Sequence, residues 1–253
     1  MKFDELDLKM RIYETRHDVM VTQGIYIVAR IDGRNFSKLT KVLHKTENPF
    51  SEIIRDYMVE TLKHLMNCGF SVIYGYTHSD EISLLFNIKE TLFSGKHRKY
   101  ISLLAGEASA KFSMHSGKLA SFDCRLSELP DKELVIDYFR WRSEDARRNA
   151  LTAYCNYCLR NAGYADEEIA AQIRKLNIDN KIKLMRDSGI VFEDLPSWQK
   201  NGIGVYWLDS AKEGFNPKSK KHEVAKRSRL SVDLNLPAKE NYDKFLLEII
   251  EHS

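Results

Sequence analysis

The sequence predicts an α+β fold that begins as a ferredoxin-like β-α-β-β-α-β arrangement and continues into a mainly helical C-terminal half. Four runs rich in β-branched and aromatic residues predict strands, at residues 25–31, 70–77, 81–88 and 119–126. Apolar residues at helical spacing predict one helix between the first two strands and another between the last two. This order of elements is that of the split β-α-β motif.

The sequence also marks the ends of the helices in this first part. Residues 49–52, Pro-Phe-Ser-Glu, open the helix after the first strand, and the later helix extends from about 98 to 115 before Gly117 ends it. An earlier amphipathic helix covers residues 4–18, and the polar stretch 37–48 is expected to be a loop. Helices on one face of a four-stranded sheet would leave its other face open to a substrate.

The sequence of the second half predicts mainly helices. Apolar spacing predicts helices from Pro130 to Gly189, then a short strand at 203–207, a possible strand at 230–236 and a final helix at 242–250. No internal repeat or low-complexity linker separates the halves, so we expect them to pack into one body.

Composition excludes several classes of protein. The chain has 253 residues, of which 43% are hydrophobic and 30% charged, as in a globular rather than a disordered protein. No apolar run approaches the ~20 residues of a membrane span. The first residues lack the apolar segment of a signal peptide, so we expect a cytoplasmic protein without a membrane partner.

The four cysteines do not form a recognisable metal or disulfide framework. Cys155 and Cys158 make a C-x-x-C pair, but their surroundings look helical and lack the Gly or Pro of a redox loop. Cys68 and Cys124 stand alone, so no second pair completes a zinc site. We expect four reduced cysteines with packing roles.

Two carboxylates lie where strands end. Asp32 follows the first strand and precedes Gly33, and Asp80 lies in the short link of the predicted hairpin. Oxygen ligands of this kind suit Mg²⁺, and a pair of metal ions can hold the attacking and leaving oxygens of a phosphoryl displacement. Glu81 follows Asp80 in a strand, so its side chain should point to the other face. An ordinary Asp-Gly turn at Asp32 is the alternative.

Basic residues form two further features. Seven lysines and arginines against two glutamates give residues 212–229 a charge of +5, while the whole chain carries +3 and the remainder therefore −2. This concentration predicts contact with a polyanion through Lys218, Lys220, Lys221, Arg227 and Arg229. Lys96 and Lys99 share one face of the second helix and could bind nucleotide phosphates. A solvated loop and a solvated helix terminus are the respective alternatives.

Four motifs in order carry a resemblance to a known family. These are Arg-Ile-Asp-Gly-Arg-Asn-Phe at 30–36, Ser-Asp-Glu at 79–81, Phe-Asp-x-Arg at 122–125 and Trp141-Arg142. In this combination the chain resembles the tRNA-His guanylyltransferase family over about residues 4–235. It is most similar to the bacterial and archaeal guanylyltransferase-like proteins that act as 3′-to-5′ polymerases.

The resemblance implies a polymerase-type palm with two Mg²⁺ ions. It makes residues 1–130 a palm-like catalytic region and 131–253 a helical and basic region packed on it. It implies side-chain metal ligands at Asp32 and Asp80 and a carbonyl ligand at Gly33, with both acids catalytic. The residues implied at the nucleotide are Asp32, Gly33, Arg34, Asn35, Phe36, Ser79, Asp80, Lys96 and Lys99. It also implies a homo-oligomer, a tetramer, with tRNA and nucleoside triphosphates as partners.

One departure from the family pattern bears on the activity. The strict guanylyltransferases have a His-Ile-Asn-Asn-Leu-Tyr-Asn stretch shortly after the Trp-Arg pair, where this chain has Arg-Arg-Asn-Ala-Leu-Thr-Ala at 147–153. Only the Asn and the Leu remain, and the leading His is absent. This favours the branch that adds the nucleotide selected by a template base.

The sequence therefore predicts a Mg²⁺-dependent nucleotidyltransferase that extends the 5′ end of tRNA in the 3′-to-5′ direction. Its substrates would be ATP and GTP or other nucleoside triphosphates, in the maturation or repair of tRNA. A nucleotidyl cyclase on a similar palm is one alternative, and a tRNA-binding module without catalysis is another.

Overall fold

The fold is built on one antiparallel sheet of six strands. The computed structural model describes residues 1–43, 48–216 and 221–252. Its strands are β1 (Tyr26–Gly33), β2 (Val72–His78), β3 (Glu81–Phe86), β4 (Phe122–Leu129), β5 (Ile203–Asn216) and β6 (Lys221–Asp233). They are ordered β4-β1-β3-β2-β5-β6 across the sheet. The register places Asp32 of β1 opposite Glu81 on one side and opposite Asp123 on the other.

Helices cover both faces of this sheet. They are α1 (Phe3–Glu14), α2 (Phe36–Leu43), α3 (Glu52–Leu65), α4 (His97–Ser116), α5 (Lys132–Asn161), α6 (Asp166–Ile173), α7 (Ile178–Asp187), α8 (Ser197–Lys200) and α9 (Glu240–Glu251). Among the described residues, no helix is long and apolar enough to cross a membrane.

The first face packs against α3 and α4, as the apolar stripes of those helices predict. Ser51 caps α3 by accepting a hydrogen bond from the Ile54 amide at 3.3 Å. Gly117 ends α4 with a left-handed φ of 65°, which glycine adopts without strain. Leu62 of α3 and Leu104 of α4 are fully buried in the core cluster on this face. The expected helices and their ends are confirmed here.

The expectation that the second face is open was wrong. Val28, Tyr74 and Leu85 on that face are fully buried under α5 and α9, where Phe139 and Leu246 join the same core cluster. Asp131 begins α5 by accepting a hydrogen bond from the Leu134 amide at 2.8 Å, and the helix continues for 30 residues. Strand residues that are apolar on both faces need cover on both, which the helices of the second half provide.

The stretch expected as a polar loop after β1 is partly helical. Phe36 is buried in the core on the first face, and Leu39 and Leu43 pack against the same cluster. These three residues have the i, i+3, i+7 spacing of a helix face, which the polar residues between them obscured in the sequence. The connection from β1 is therefore short, and α2 begins three residues after Gly33.

A solvated loop was the alternative for the basic segment, and the structure places most of it in strands. β5 extends well beyond the predicted strand at 203–207, and β6 begins before the predicted strand at 230–236. Lys212 and Glu213 of β5 lie opposite Ala225 and Val224 of β6. Charged residues on both strands hid the two-residue period that a half-buried strand would show.

All four cysteines are unpaired thiols, as predicted. Cys155 and Cys158 are buried on α5, where they pack with Met185 of α7 and with Phe192. Burial raises the pKa of Cys155 to about 11, so its thiol is protonated and unreactive at neutral pH.

Candidate active site

The predicted carboxylates meet at one end of the sheet. Asp32 is the penultimate residue of β1, and Asp80 lies in the two-residue turn between β2 and β3. The Gly33 amide donates a 3.1 Å hydrogen bond to the Asp80 carbonyl, which fastens the turn to the end of β1. Asp32 and Asp80 both line one cleft. Sequence positions 48 residues apart are thus brought together as expected.

The turn that carries Asp80 is conformationally unusual. Ser79 has φ 55°, in the left-handed region that residues other than glycine seldom adopt. Its hydroxyl donates a 3.0 Å hydrogen bond to one carboxylate oxygen of Asp80. Local strain of this kind persists where surrounding contacts hold it, and it is common at functional sites. The turn therefore fixes where the Asp80 carboxylate lies.

Burial gives Asp80 an electrostatic character that suits a cation site. Desolvation by burial raises the pKa of Asp80, the hydrogen bond from Ser79 opposes this, and the negative charge of Asp32 raises it further. An ionised carboxylate in this position is destabilised unless a positive charge compensates it.

The segment after Asp32 is a tight connection into α2. The ring of Phe36 lies directly under Gly33, where an added Cβ would come within 2.3 Å of it. Asn35 has φ 59°, and the Arg34 amide donates to the Ser121 carbonyl at 2.8 Å. Because its side chain is buried in the core, Phe36 has only its backbone to offer a ligand, whereas Arg34 and Asn35 are exposed beside a shallow neighbouring groove.

Glu81 is held by an ion-pair network that the sequence did not reveal. The Arg142 guanidinium of α5 donates two hydrogen bonds to the Glu81 carboxylate, at 2.6 and 2.7 Å, and a third to Asp145 at 3.1 Å. Glu81 and Asp32 are cross-strand neighbours, so both lie on the face of the sheet toward α5. Burial raises the pKa of Glu81, and Arg142 acts against that shift. Arg142 thus neutralises Glu81 and leaves Asp32 and Asp80 as the carboxylates without a basic partner in this network.

Arg30 is a second residue that sequence reasoning missed. It precedes Asp32 by two positions and therefore lies on the same face of β1 and lines the cleft. Its Nε atom is buried without a hydrogen-bond partner among the described residues. Buried donors are normally satisfied, so this N–H is available to an anionic group in the cleft. Because alternate residues of a strand lie on one face, the sequence could have indicated that Arg30 shares a face with Asp32.

The cleft has a volume of about 680 Å³ and extends from the acids to an aromatic wall. This wall contains Phe50, whose ring lies 5.6 Å from that of His78 and 6.0 Å from that of Trp198. The Arg55 guanidinium stacks on Trp198 at 4.9 Å. Helix α5 also lines the cleft, where it contributes Asn149. The cleft therefore joins an acidic end to a surface suited to flat aromatic groups.

The residues at the acidic end fit a divalent cation. In the described ranges, no group of three or more His, Cys, Asp or Glu side chains is arranged to hold a metal ion. Mg²⁺ sites that act on phosphates often use only one or two carboxylates and complete their coordination with water and substrate oxygens. The partly buried Asp80 beside Asp32 meets that requirement, because the negative charge there lacks compensation.

The structure does not bring Lys96 and Lys99 to this cleft. Lys96 forms a β-bridge with Met20, which precedes β1, so the start of α4 lies at the end of the sheet opposite Asp32. β1 alone separates those ends by about 20 Å at ~3.3 Å per residue. Both lysines are half-buried, and neither lines the cleft.

The basic residues predicted to bind tRNA are described to different extents. Lys218 and Lys220 lie outside the described residues, and Lys221 and Arg227 are placed by their backbone in β6. Arg229 is exposed in the same strand.

The stretch that departs from the family pattern lies on α5. Arg147, which stands in place of the leading His, stacks on the Phe192 ring at 4.8 Å and pairs with Glu193 at 3.9 Å. Asn149 and Ala153 of the same stretch line the cleft, whereas Arg147 does not. The changed position is thus occupied by a side chain that serves packing.

Comparison with solved structures shows which class of protein shares this fold. It matches a bacterial tRNA(His) guanylyltransferase (Thg1)-like protein in complex with GTP, with a TM-score of 0.73, 28% identity, and coverage of 98% of this chain and 99% of that one. The match to such a protein in complex with ATP has a TM-score of 0.76 and 27% identity, with coverage of 97% and 99%. The six-stranded sheet with acids at its end is therefore the fold of Thg1-like proteins.

Sequence comparisons find similarity to one family. The model of the family Thg1, tRNAHis guanylyltransferase, matches residues 7–130, which contain both acids. The probable tRNA(His) guanylyltransferase of Drosophila melanogaster is 26% identical over 73% of this chain and 68% of its own length. An uncharacterized mimivirus protein, R259, is 26% identical over 95% of this chain and 88% of its own. Over residues 7–130 the chain is therefore similar to the tRNAHis guanylyltransferase family.

Proposed function

We propose that this protein adds nucleotides to the 5′ end of tRNA in the 3′-to-5′ direction. The observation that carries the proposal is the cleft with Asp32 and Asp80 in a chain that matches a GTP-bound family relative over nearly its whole length. The reaction has two steps. The tRNA 5′-phosphate oxygen attacks the α-phosphorus of a nucleoside triphosphate and displaces pyrophosphate. The 3′-hydroxyl of an incoming triphosphate then attacks the activated 5′-phosphorus, loses its proton and displaces the nucleoside monophosphate.

We propose ATP and GTP, or other nucleoside triphosphates, as substrates, because family relatives have been solved with each. The Asp32 and Asp80 carboxylates and the Gly33 carbonyl would hold two Mg²⁺ ions. When bound, these would neutralise the developing charge on the phosphates. Arg30 would donate its free Nε–H to a phosphate oxygen, and the amides after Gly33 would contact the triphosphate. Arg142 keeps Glu81 from competing for these groups.

The architecture supports a palm assignment for the first half. The order β4-β1-β3-β2, with helices between β1 and β2 and between β3 and β4, is that of the split β-α-β motif. We therefore propose that residues 1–130 form a ferredoxin-like, polymerase-type palm and that residues 131–253 support it and bind RNA. We further propose that the protein acts in the cytoplasm as a homo-oligomer, a tetramer as the resemblance implies.

Incubation with labelled nucleoside triphosphate, with and without tRNA, tests the function. We expect label on the 5′ end of tRNA and release of pyrophosphate. A cyclic nucleotide formed without tRNA would instead identify a nucleotidyl cyclase. Binding of tRNA with no labelled product would identify a binding module.

Template dependence follows from the loss of the His-led stretch at 147–153. Base pairing would supply the selectivity, since a mispaired nucleotide misplaces its 3′-hydroxyl, and misplacement can cost on the order of 10²-fold in rate. We expect tRNAs that lack their first 5′ nucleotide to receive the complement of the templating base, whether that base is C, G, A or U. Addition of guanine at equal rates opposite all four bases would contradict this.

A further inference from the structure

The short helix α8 lies beside the turn that carries Asp80. Ile203, the first residue of β5, is paired with Thr77 of β2, and two residues separate α8 from β5. The residue after Thr77 is His78, which ends β2, and Asp80 follows in the turn. The end of α8 and the Asp80 turn are therefore neighbours at one end of the sheet.

His78 makes a hydrogen bond from this turn region to α8. Its Nε2 atom lies 3.0 Å from the backbone carbonyl oxygen of Gln199. Because a carbonyl oxygen only accepts hydrogen bonds, Nε2 carries a proton and donates it. Burial lowers the pKa of His78, so its ring is neutral at neutral pH and this is its one N–H. The backbone of α8 thus fixes the tautomer of His78.

Helix α8 is itself held in place by α5. The Tyr154 hydroxyl donates to the Oε1 atom of Gln199 at 2.5 Å, and the Ser143 hydroxyl donates to the Asn201 carbonyl at 3.2 Å. These contacts do not involve the turn. The hydrogen bond from His78 therefore ties the turn to an element whose position is fixed by other residues.

The other hydrogen bonds of the turn described above and here lead to the sheet. The Gly33 amide donates to the Asp80 carbonyl, and the Thr77 hydroxyl donates to the Glu81 carbonyl at 2.8 Å. Both partners belong to the strands that flank the turn. The bond from His78 differs because it joins the end of β2 to the layer above the sheet.

His78 also contacts the aromatic wall of the cleft. The Phe50 ring lies 5.6 Å from the His78 ring and 6.0 Å from the ring of Trp198, which α8 carries. All three residues line the same cleft as Asp80. The imidazole therefore lies between the acidic end of the cleft and its aromatic wall.

We propose that His78 is a positioning residue, which locks the Asp80 turn to α8 through its Nε2–H and so sets the spacing between the acids and the aromatic wall. This rests on the proposed function, because it takes a nucleoside triphosphate to bind with its phosphates at the acids and its base toward the wall. The base and the phosphates are covalently joined, so a change in this spacing displaces the reacting phosphorus. Displacement by about 1 Å can cost on the order of 10²-fold in rate.

The length of the side chain at position 78 provides the test. A Gln amide nitrogen is as many bonds from the backbone as Nε2 of His and can donate to the same carbonyl, whereas Asn is one bond shorter and Leu has no donor. We expect His78→Gln to keep kcat within about threefold of wild type, and His78→Asn and His78→Leu to lower it about 10²-fold. The last two variants should also need more Mg²⁺ for half-maximal rate, because the Asp80 carboxylate is less well placed.

Hydrogen exchange gives a second measurement, which needs neither substrate nor metal. The backbone amides of residues 78–82 should exchange faster in His78→Asn and His78→Leu than in wild type and His78→Gln. His64→Leu is the matched control, because His64 makes a 2.6 Å hydrogen bond to Glu107 but does not line the cleft. It should leave both kcat and exchange at the turn unchanged. Circular dichroism checks that each variant retains the fold.

Three results would overturn the proposal: equal losses in His78→Gln and His78→Leu, near-normal kcat in His78→Asn, or a comparable loss of kcat in His64→Leu. If His78→Leu does not fold, the Gln and Asn variants decide alone. The proposed function fails separately. Absence of nucleotide addition by the wild-type protein would refute the enzyme, while exchange at the turn would still show whether the His78 N–H holds it.

Discussion

At the scale of single residues, the site is defined by which carboxylates have partners. Glu81 is neutralised by two hydrogen bonds from Arg142. Asp80 is partly buried, and among the described residues its side-chain partner is the Ser79 hydroxyl alone. The chain therefore places an ion-paired acid next to the acid that we propose to be functional. The acidic end of the cleft would attract a cation.

Replacing Asp80 with Asn should separate stability from activity. The raised pKa of Asp80 means that its ionised carboxylate destabilises the folded state; this effect is absent below the unfolded-state pKa and complete above the folded-state pKa. Asn removes that charge, so we expect unchanged or higher thermal stability without divalent metal. We also expect no further stabilisation by Mg²⁺ and loss of nucleotide addition on the order of 10³-fold. Thermal unfolding with and without Mg²⁺, and initial rates, measure these effects.

Asp187→Asn is the control, because Asp187 is exposed at the end of α7. It should keep both the Mg²⁺-dependent stabilisation and the activity. Near-normal addition by Asp80→Asn at saturating Mg²⁺ would show that the site lies elsewhere.

We expect Arg142 to contribute to the stability of the fold as well as to the arrangement of the candidate site. The side chains of Arg142 and Glu81 are only 10% and 14% exposed, so removing one partner leaves a poorly solvated charge. We expect Arg142→Met to reduce the free energy of unfolding by about 3 kcal/mol. Glu81→Gln in the same chain should restore part of that loss, because the isolated charge is removed. Denaturant unfolding of the two single variants and the double variant gives the coupling, and additive effects would argue against the pair.

The sequence was sufficient to predict the two acids but not the ion pair beside them. Asp32 and Asp80 were predictable because each follows a strand-like run, and strand ends place side chains at sheet edges. The Glu81–Arg142 pair joins residues 61 positions apart through the packing of α5 on the sheet. No local pattern contains that information. The two-residue period of β1 could have placed Arg30 on the same face as Asp32. It could not have shown that the Arg30 Nε–H lacks a hydrogen-bond partner among the described residues.

At the scale of elements, the junction between β1 and α2 sets the geometry of the acidic end. Phe36 is 2% exposed, and its ring packs on Phe112 of α4 and Phe122 of β4 at 5.0 and 4.9 Å. It fills the space beneath Gly33 and so anchors the connection that follows Asp32. The arrangement requires the absence of a side chain at position 33.

Gly33→Ala should therefore disturb both stability and nucleotide binding. The new methyl group would meet the Phe36 ring at 2.3 Å and force either the ring or the backbone to move. Overpacking of this kind costs about 1–3 kcal/mol. Because the displaced segment follows Asp32, we also expect a higher KM for the nucleoside triphosphate. Chemical denaturation and steady-state kinetics provide the two measurements.

Gly106→Ala supplies the matched control on α4. A Cβ at Gly106 would meet nothing within 4 Å, and glycine inside a helix is less stable than alanine by about 0.5–1 kcal/mol. This variant should be slightly stabilised with unchanged kinetics. If Gly33→Ala behaved in the same way, the steric requirement at Gly33 would be refuted.

The elements also show where sequence periodicity succeeds. α3, α4 and β1–β4 were predicted because each buries a regular apolar pattern against the first core cluster. The pairing of β5 and β6 was missed because charged residues interrupt any regular apolar pattern along these two segments of the sequence. The packing of helices on the second face was missed because the sequence predicted α5 as a helix but did not indicate the surface on which it packs.

At the scale of the whole molecule, chemistry and basic charge lie at opposite ends of the sheet. Asp32 is at the end of β1 and Asp80 in the adjacent β2–β3 turn. Lys96 is at the other end of the sheet with Lys99 close after it, and the part of β5 and β6 beyond Tyr206 extends past that end. A single chain therefore cannot place Lys96 on a nucleotide held by Asp32. The family resemblance, in contrast, implies that Lys96 binds the activating nucleotide. Both statements hold together if Lys96 serves the cleft of a second copy.

Mixing two inactive variants tests this arrangement. Alone, Asp80→Ala should lack addition altogether, and Lys96→Ala should be impaired on monophosphorylated tRNA, which needs activation, but much less on triphosphorylated tRNA. When the two are co-expressed with different tags and the mixed assemblies are isolated, one cleft combines an intact Asp80 with the partner subunit's Lys96. For random pairing of two subunits, the unfractionated mixture should regain about a quarter of the wild-type activity on monophosphorylated tRNA. Gel filtration and the two tags confirm that mixed assemblies have formed. If they form and the activity does not return, Lys96 does not act across subunits.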